Sequence, residues 1–276
     1  MLKKLMHYDF KSVFKLWWIG AVSTIALSVI GGFLAEIFTT DRDIPEPIYV
    51  LAIFGAILVY IGFLAFGIFA EILVYLRFYK NLFTDEGYLT FTLPAKRQSI
   101  LNSKVFLGTL TSILTAIVLG IDSMIITVIS LRKEIFTTEF LNDFKEFAEY
   151  FFEDQYYYYL FFYIVQALII FALLALASVL FAYGCITIAS VIAKKAKLLV
   201  AVGIYYGATS VLGFLMTIFF LFGFTSLTDL LFELSELDGL NSVLLLLFMV
   251  IFILFAVCCL LYYVTYWCLD KKLNLA

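Results

Sequence analysis

Charged side chains are scarce in this sequence. Aspartate, glutamate, lysine and arginine make up 14% of the 276 residues, and 64% are hydrophobic, whereas a soluble domain is usually about half apolar and about a quarter charged. The apolar residues also fall in runs of about twenty or more, the length that crosses a bilayer as a helix. The composition therefore excludes an ordinary soluble protein and predicts a single all-α transmembrane domain over residues 1–276.

Motifs for nucleotide binding, zinc binding and hydrolysis are missing. The sequence contains no adjacent Gly-Lys pair, which a GxxxxGK[ST] phosphate loop requires, and no HExxH or GxSxG motif. The single histidine, His7, cannot build a zinc site. We therefore expect no cofactor, no enzymatic activity and no nucleic-acid partner; any ATP that drives this protein would be bound by a separate subunit.

The four cysteines lack a redox or metal-binding spacing. All of them lie in or at the ends of apolar runs, and none forms a CxxC pair; they are Cys185, Cys258, Cys259 and Cys268. Cysteine in apolar surroundings behaves as a small hydrophobic residue. We therefore predict packing roles for all four, without disulfide bonds or metal.

Six apolar stretches are long enough to cross a hydrocarbon core of about 30 Å as helices that rise about 1.5 Å per residue. An even number of spans leaves both termini on the same side of the membrane. The predicted spans are residues 16–38, 48–76, 105–131, 160–193, 198–224 and 243–269.

Lysine and arginine are distributed unequally between alternate connections. Of the eighteen, fourteen fall on one side and four, Arg42, Arg132, Lys133 and Lys145, fall on the other. Basic residues in short loops resist translocation. We therefore predict a multi-pass cell-membrane protein with both termini in the cytoplasm and an acidic outer surface.

Three segments outside the spans have amphipathic helical periodicity. Residues 1–15 predict a helix on the inner leaflet, in contact with membrane lipids, that bends into the first span at Trp17 and Trp18. Residues 140–153 place aromatic residues on one helical face and acids on the other. Residues 226–239 place leucines opposite acids, and this segment begins with a capping box and ends with a glycine, a typical helix stop. The last two segments are predicted to be short outer helices.

Three acidic residues lie inside the predicted spans, where a charge costs on the order of 3 kcal/mol on insertion scales. Glu36 and Glu71 lie near span ends, from which their side chains can reach interfacial groups. Asp122 lies deeper, and no Lys or Arg in any span can pair with it. Its carboxyl must be neutral, bonded to hydroxyls such as Ser112 or Ser123, or face water or a partner subunit. Asp122 and Glu71 are therefore the candidate functional acids, and we predict that Asp122 lies away from lipid.

The fifth span carries a helix-packing signal. Gly203 and Gly207 form GxxxG, with Ser210 and Gly213 following, and small residues at this spacing allow another helix to approach closely. A packing face within the chain is the commoner use of such a pattern, and a dimer seam is the other.

The longest predicted inner connection is residues 77–104. Thr84 can cap a short helix with acids in its first turn, and Pro94 can separate that helix from the next one. The connection is more apolar than a solvated loop requires, so it lies either among lipid headgroups or in a groove on a partner. Its candidate contact residues are Thr84, Asp85, Glu86, Gly87, Tyr88, Leu89, Phe91, Leu93, Lys96 and Arg97.

This connection resembles the equivalent stretch in permease subunits of type-2 ABC transporters from Gram-positive bacteria. The resemblance rests on the overall layout of the chain and on Gly87, Tyr88, Leu89, Leu93, Pro94, Lys96 and residues 101–104. The long outer segment, residues 132–159, departs from compact members of that family. The resemblance implies a permease that pairs with a second copy or a sister permease, binds cytoplasmic ATP-binding subunits through this loop, and exports lipids, peptides or drugs.

Two other functions are compatible with the sequence. A non-transporting sensor or immunity protein would bind an antimicrobial peptide at the acidic outer face. A secondary transporter would use Asp122 as a proton site. Co-purification of an ATPase separates the first interpretation from both.

Overall fold

The structure is a computed structural model that describes residues 2–39, 45–84, 87, 96–135, 137–152, 154–193, 196–218, 221 and 239–271. The secondary-structure elements in these residues are all α-helices. In chain order they are α1 (Leu2–Thr39), α2 (Glu46–Phe83), α3 (Arg97–Ser130), α4 (Arg132–Ile135), α5 (Thr138–Phe152), α6 (Asp154–Ile192), α7 (Lys197–Ile218) and α8 (Gly239–Lys271).

Six helices in these ranges, α1, α2, α3, α6, α7 and α8, are long and apolar enough to cross a membrane. The all-α membrane fold predicted from the sequence is therefore confirmed. Several helices extend beyond the predicted spans: α2 continues past Arg77 to Phe83, and α3 begins at Arg97, before Lys104. Lysine and arginine are good helix formers, so the charged residues that end an apolar run do not end the helix.

Two predicted helix boundaries differ from the structure. No break separates the surface segment from the first span, because α1 is a continuous helix through Trp17 and Trp18. No Gly or Pro occurs before Gly20 to interrupt it. Gly239, predicted as a helix stop, is the first residue of α8, and the preceding residues 226–238 lie outside the described residues. The predicted outer helix over residues 140–153 is present as α5.

The chain forms two compact units. Unit 1 consists of Met1–Arg77 and Phe106–Tyr156, and therefore contains α1, α4, α5 and most of α2 and α3. Unit 2 consists of Phe78–Val105 and Tyr157–Ala276, and so contains α6, α7 and α8 together with the ends of α2 and α3 that flank their connection.

In unit 1, α1 and α3 run parallel. The line of contact between α1 and α3 is called the seam. Near its start, the indole nitrogen of Trp17 donates a hydrogen bond to Thr115 Oγ1 (2.8 Å). At its far end Glu36 meets Arg132, immediately after α3. Between these contacts a Cβ built on Gly32 would lie 2.7 Å from the Cβ of Ile129, so the backbones approach too closely for a larger residue at this position.

The second helix of unit 1 runs antiparallel to α1. Near the start of α1, Gly20 faces Phe66 of α2, whereas near its end Leu34 contacts Gly55. The apolar core of the unit lies at the first of these contacts, where one face of α1 meets one face of α2. Its buried members are Trp17, Ala21, Phe66 and Ala70.

In unit 2, α6 and α8 are neighbours. Gln166 Nε2 donates to the backbone oxygen of Leu244 (3.1 Å), and the Cys258 thiol lies 3.6 Å from the backbone oxygen of Leu173. These pairs advance together along both helices, so α6 and α8 are parallel. Cys185, Cys258 and Cys268 are buried free thiols and Cys259 is an exposed one, so the predicted packing role fits the first three.

Candidate functional site

The connection between α2 and α3 is only partly described. Thr84, Gly87, Lys96 and Arg97 lie within the described residues. The other predicted contact residues, Asp85, Glu86, Tyr88, Leu89, Phe91 and Leu93, lie outside them. For this candidate site, the structure therefore describes the two ends of the connection.

The α2 end of the connection is built on a buried aromatic stack. The rings of Phe78 and Tyr183 of α6 lie parallel, with centroids 3.7 Å apart and an interplanar angle of 7°. The Tyr183 hydroxyl donates to the backbone oxygen of Lys104 in α3 (3.2 Å). Tyr183 is 2% exposed, so this one side chain joins α6 to the ends of both α2 and α3.

At Gly87 the backbone turns back and contacts the end of α2. Its N–H donates to the carbonyl of Thr84 (2.8 Å). A Cβ at this position would lie 2.5 Å from the carbonyl oxygen of Leu82, a backbone atom that cannot rotate away. The Thr84 hydroxyl donates to the carbonyl of Lys80 and thus caps the end of α2; a cap on a following helix, as predicted, would involve residues outside the described part.

The α3 end of the connection is tied to the end of α8. Arg97 Nη1 lies 2.6 Å from the backbone oxygen of Asp270 and 3.2 Å from that of Leu269. A guanidinium at this place satisfies carbonyls that a helix C-terminus leaves without intrahelical donors. One turn further along α3, Asn102 Oδ1 accepts a hydrogen bond from the hydroxyl of Tyr262 (2.6 Å). Arg97, predicted as a contact to a partner, thus makes contacts within the chain, although it is exposed, as Lys96 is.

Glu71 makes a hydrogen bond within unit 1. Ser112 Oγ donates to its Oε1 (3.0 Å), and its buried Oε2 has no hydrogen-bond partner among the described residues. Ser112 was one of two hydroxyls predicted for Asp122, and it serves Glu71 instead. Ser123, the other, donates to the carbonyl of Gly120 (2.7 Å).

Asp122 is enclosed between α3 and α1, and its side chain is 0% exposed. This burial agrees with the prediction that it lies away from lipid. The polar groups beside its carboxyl are the hydroxyls of Thr24 and Ser28, which the sequence reasoning missed. A signal for them exists, because hydroxyls four residues apart in an apolar helix lie on one face.

The third intramembrane acid, Glu36, meets two cations. Its Oε1 lies 2.9 Å from Arg132 Nη2 and 3.0 Å from Lys133 Nζ, both in α4. The prediction that Glu36 reaches interfacial groups fits these contacts. A further acid that the sequence reasoning did not single out, Asp9, lies 3.6 Å from Arg77 Nε and is almost buried.

The GxxxG face of α7 has no neighbour in the described residues. A Cβ built on Gly203, Gly207 or Gly213 meets no heavy atom within 4 Å. The described residues therefore give no support to the preferred prediction, packing within the chain. The physical reason is that the spacing of small residues specifies a surface that permits close approach but does not specify which helix supplies the partner.

Comparison of the chain with known protein families, with curated proteins and with solved structures gives no match. The described residues also contain no group of three or more His, Cys, Asp or Glu side chains placed to hold a metal. The class that the fold defines is a multi-pass α-helical membrane protein.

Proposed function

We propose that this protein is the membrane-spanning permease subunit of an ABC exporter. A separate cytoplasmic ATPase drives it, a second copy or a sister permease completes the pore, and the cargo is a lipid, a peptide or a drug-like molecule. In this proposal both termini are cytoplasmic, and the connection between α2 and α3 faces the ATPase.

The observation that carries the proposal is the contact of both ends of this connection with α6 and α8 inside unit 2. On the α2 side, Phe78 and Leu82 are 1% exposed, and Phe78 stacks on Tyr183 of α6. On the α3 side, Arg97 bonds the end of α8. A connection that only joined two spans would need neither contact.

This attachment suits a segment that transmits force. The connection is covalently continuous with α2 and α3 and makes side-chain contacts with α6 and α8. A partner that moves on binding ATP and presses on residues 84–96 would therefore act on the ends of α2 and α3 and, through their contacts, on α6 and α8. Tight aromatic and hydrogen-bonded contacts are suited to this role because packed interiors deform little.

The resemblance to type-2 permeases supports the same assignment independently. It covers residues of this connection and the order of the spans, and it rests on the sequence alone. The missing phosphate loop agrees with it, because a permease of this kind obtains its energy from another subunit.

The test is co-purification with coupled ATP hydrolysis. The full-length tagged chain is expressed with the ABC ATPases of its own organism, extracted in mild detergent and analysed by mass spectrometry. We expect one ATPase to co-purify and its hydrolysis rate in liposomes to respond to the permease. In the variant Tyr88→Ala/Leu89→Ala, we expect loss of ATPase binding or of this response, with insertion unchanged.

A matched control changes two exposed apolar residues at α5. Phe144 and Phe147 are 61% and 60% exposed, so Phe144→Ala/Phe147→Ala removes comparable apolar surface from the segment predicted to be outside. We expect this variant to keep ATPase binding. If no ATPase co-purifies and the control variant instead loses binding of an antimicrobial peptide, the sensor or immunity function replaces the permease.

A further inference from the structure

A closed polar cluster lies in the interior of unit 1. It consists of Asp122 and Ser28, both 0% exposed, and Thr24, 2% exposed. Asp122 lies ten residues after Ser112 and ten before Arg132, which is about 15 Å along the helix axis in each direction. It is also the one charged residue between positions 105 and 131 of the sequence. The cluster is therefore remote from the contact of Glu71 with Ser112 and from that of Glu36 with Arg132.

Both hydroxyls of this cluster lie within hydrogen-bond distance of carbonyl oxygens of their own helix. Thr24 Oγ1 donates to the carbonyl of Ala21 (3.0 Å), and Ser28 Oγ donates to that of Ile25 (2.7 Å). Each hydroxyl has a single proton, so the oxygens beside Asp122 present lone pairs. Accordingly, neither carboxyl oxygen has a hydrogen-bond donor among the described residues.

The surrounding sequence supplies no opposite charge. Residues 16–35 of α1 and 47–70 of α2, the helices packed beside this part of α3, contain no Asp, Glu, Lys, Arg or His. The other titratable side chains there, Tyr49 and Tyr60 of α2, are exposed. While the hydroxyls bond their own helix, acceptor oxygens face acceptor oxygens in an apolar enclosure, an arrangement that a positive species between them would stabilise.

We propose that Asp122, Thr24 and Ser28 form a binding site for one small cation, H⁺ or Na⁺. As a proton, the ligand converts the carboxylate to a carboxylic acid, whose O–H donates to a hydroxyl oxygen of Thr24 or Ser28. As Na⁺, it is coordinated by the carboxylate and hydroxyl oxygens. Either ligand places a positive charge between the oxygens, and no other covalent bond has to form or break.

Occupancy of this site selects between two hydrogen-bond arrangements. With the cation bound, both hydroxyls bond their own helix, as observed. Without it, they must rotate from the carbonyls of Ala21 and Ile25 and donate to the carboxylate, because a buried acceptor without a donor is unfavourable. Cation binding therefore shifts the equilibrium between these two hydrogen-bond arrangements at the seam between α1 and α3. This inference stands on unit 1 and does not depend on the permease proposal.

Infrared spectroscopy of the full-length protein in liposomes tests the site. Spectra are recorded in sodium-free choline buffer and in sodium buffer, for the wild type and for Asp122→Asn. A bound proton gives a carbonyl band of a protonated carboxylic acid in both buffers, and a Na⁺ site gives that band only after sodium is removed. In either case Asp122→Asn abolishes it. Wild-type and variant spectra without this difference in either buffer would show an ionised, unliganded Asp122 and overturn the proposal.

Two further sets of variants test which residue gives rise to the carbonyl band while Asp122 is kept. Thr24→Val and Ser28→Ala each delete one hydroxyl acceptor, so at least one of them should move the band to the higher frequency of a weaker hydrogen bond. Glu71→Gln is the matched control, because Glu71 also has a buried carboxyl oxygen without a hydrogen-bond partner in the described residues, and the Asp122 band should persist unshifted. A band that is insensitive to both hydroxyl deletions, or that is lost in Glu71→Gln, would assign the proton elsewhere.

Discussion

The hydrogen bond between Trp17 and Thr115 offers a quantitative test of the seam between α1 and α3. Both residues are buried, with 2% and 6% of their surface exposed, and the indole N–H donates to the hydroxyl oxygen at 2.8 Å. Thr115→Val keeps the side-chain shape and removes the acceptor. A buried N–H without a partner costs about 1–3 kcal/mol, so we expect a loss of unfolding free energy in that range.

A double-mutant cycle separates this bond from packing. Trp17→Phe retains an aromatic ring and removes the donor. In this background Thr115→Val therefore leaves no buried N–H without a hydrogen-bond partner. Hydrogen bonds between membrane helices contribute about 0.6 kcal/mol on average, and at most about 1.7 kcal/mol, in such cycles, so we expect a coupling energy between these values. The measurement is pulse proteolysis of the full chain in mixed micelles of mild detergent and dodecyl sulfate.

Thr115→Ser is the control, because it keeps the acceptor oxygen. It should retain the coupling to Trp17 and lose only the contacts of one methyl group. If Thr115→Val costs the same in the Trp17→Phe background as in the wild type, within about 0.5 kcal/mol, the two residues are not coupled. The seam would then be held by apolar contact alone.

Three other substitutions have defined outcomes in the same assay. Gly87→Ala should destabilise the root of the α2–α3 connection by about 1–3 kcal/mol, because the added methyl meets the Leu82 carbonyl; an unchanged midpoint would contradict this close approach. Tyr183→Phe should cost about 1 kcal/mol for the bond to Lys104, whereas Tyr183→Ala should cost about 3–5 kcal/mol with loss of the ring; equal costs would refute the role of the stack. Gly207→Ala should stabilise monomeric protein by up to about 1 kcal/mol, because alanine favours the helix over glycine and the face is open; a large loss would reveal a packed neighbour.

The spans could be predicted because their signal is local. Every spanning helix reads as an apolar run in its own residues, and the aromatic stripe that predicted α5 likewise lies within one segment. The boundaries were less predictable: the sequence places basic residues at the ends of α2 and α3, and apolarity does not distinguish a helix that ends from one that continues past the membrane.

The partners of buried groups were not predictable from local pattern. Hydroxyls such as Ser112 or Ser123 were one of the alternatives that the sequence left open for Asp122, but the hydroxyls beside it are those of Thr24 and Ser28 of α1. Which helices adjoin, and at what rotation, depends on contacts between residues about a hundred positions apart. The open face at Gly203 shows the same limit from the opposite direction, because a surface suited to packing has no neighbour in the described residues.

The contacts in unit 1 also explain why α1 and α3 have one register. In lipid, apolar side chains gain little by choosing one apolar neighbour over another, so polar contacts and close backbone approach must specify the pairing. The seam contains such contacts at three levels: the Trp17 bond to Thr115, the polar cluster at Asp122, and the pairing of Glu36 with Arg132. A slip of either helix by one turn would break the outer two and leave the middle carboxyl beside only one of its two hydroxyls. The register of α1 on α3 is therefore specified by the few polar residues of an apolar chain, and the same requirement places an acid at the centre of the seam.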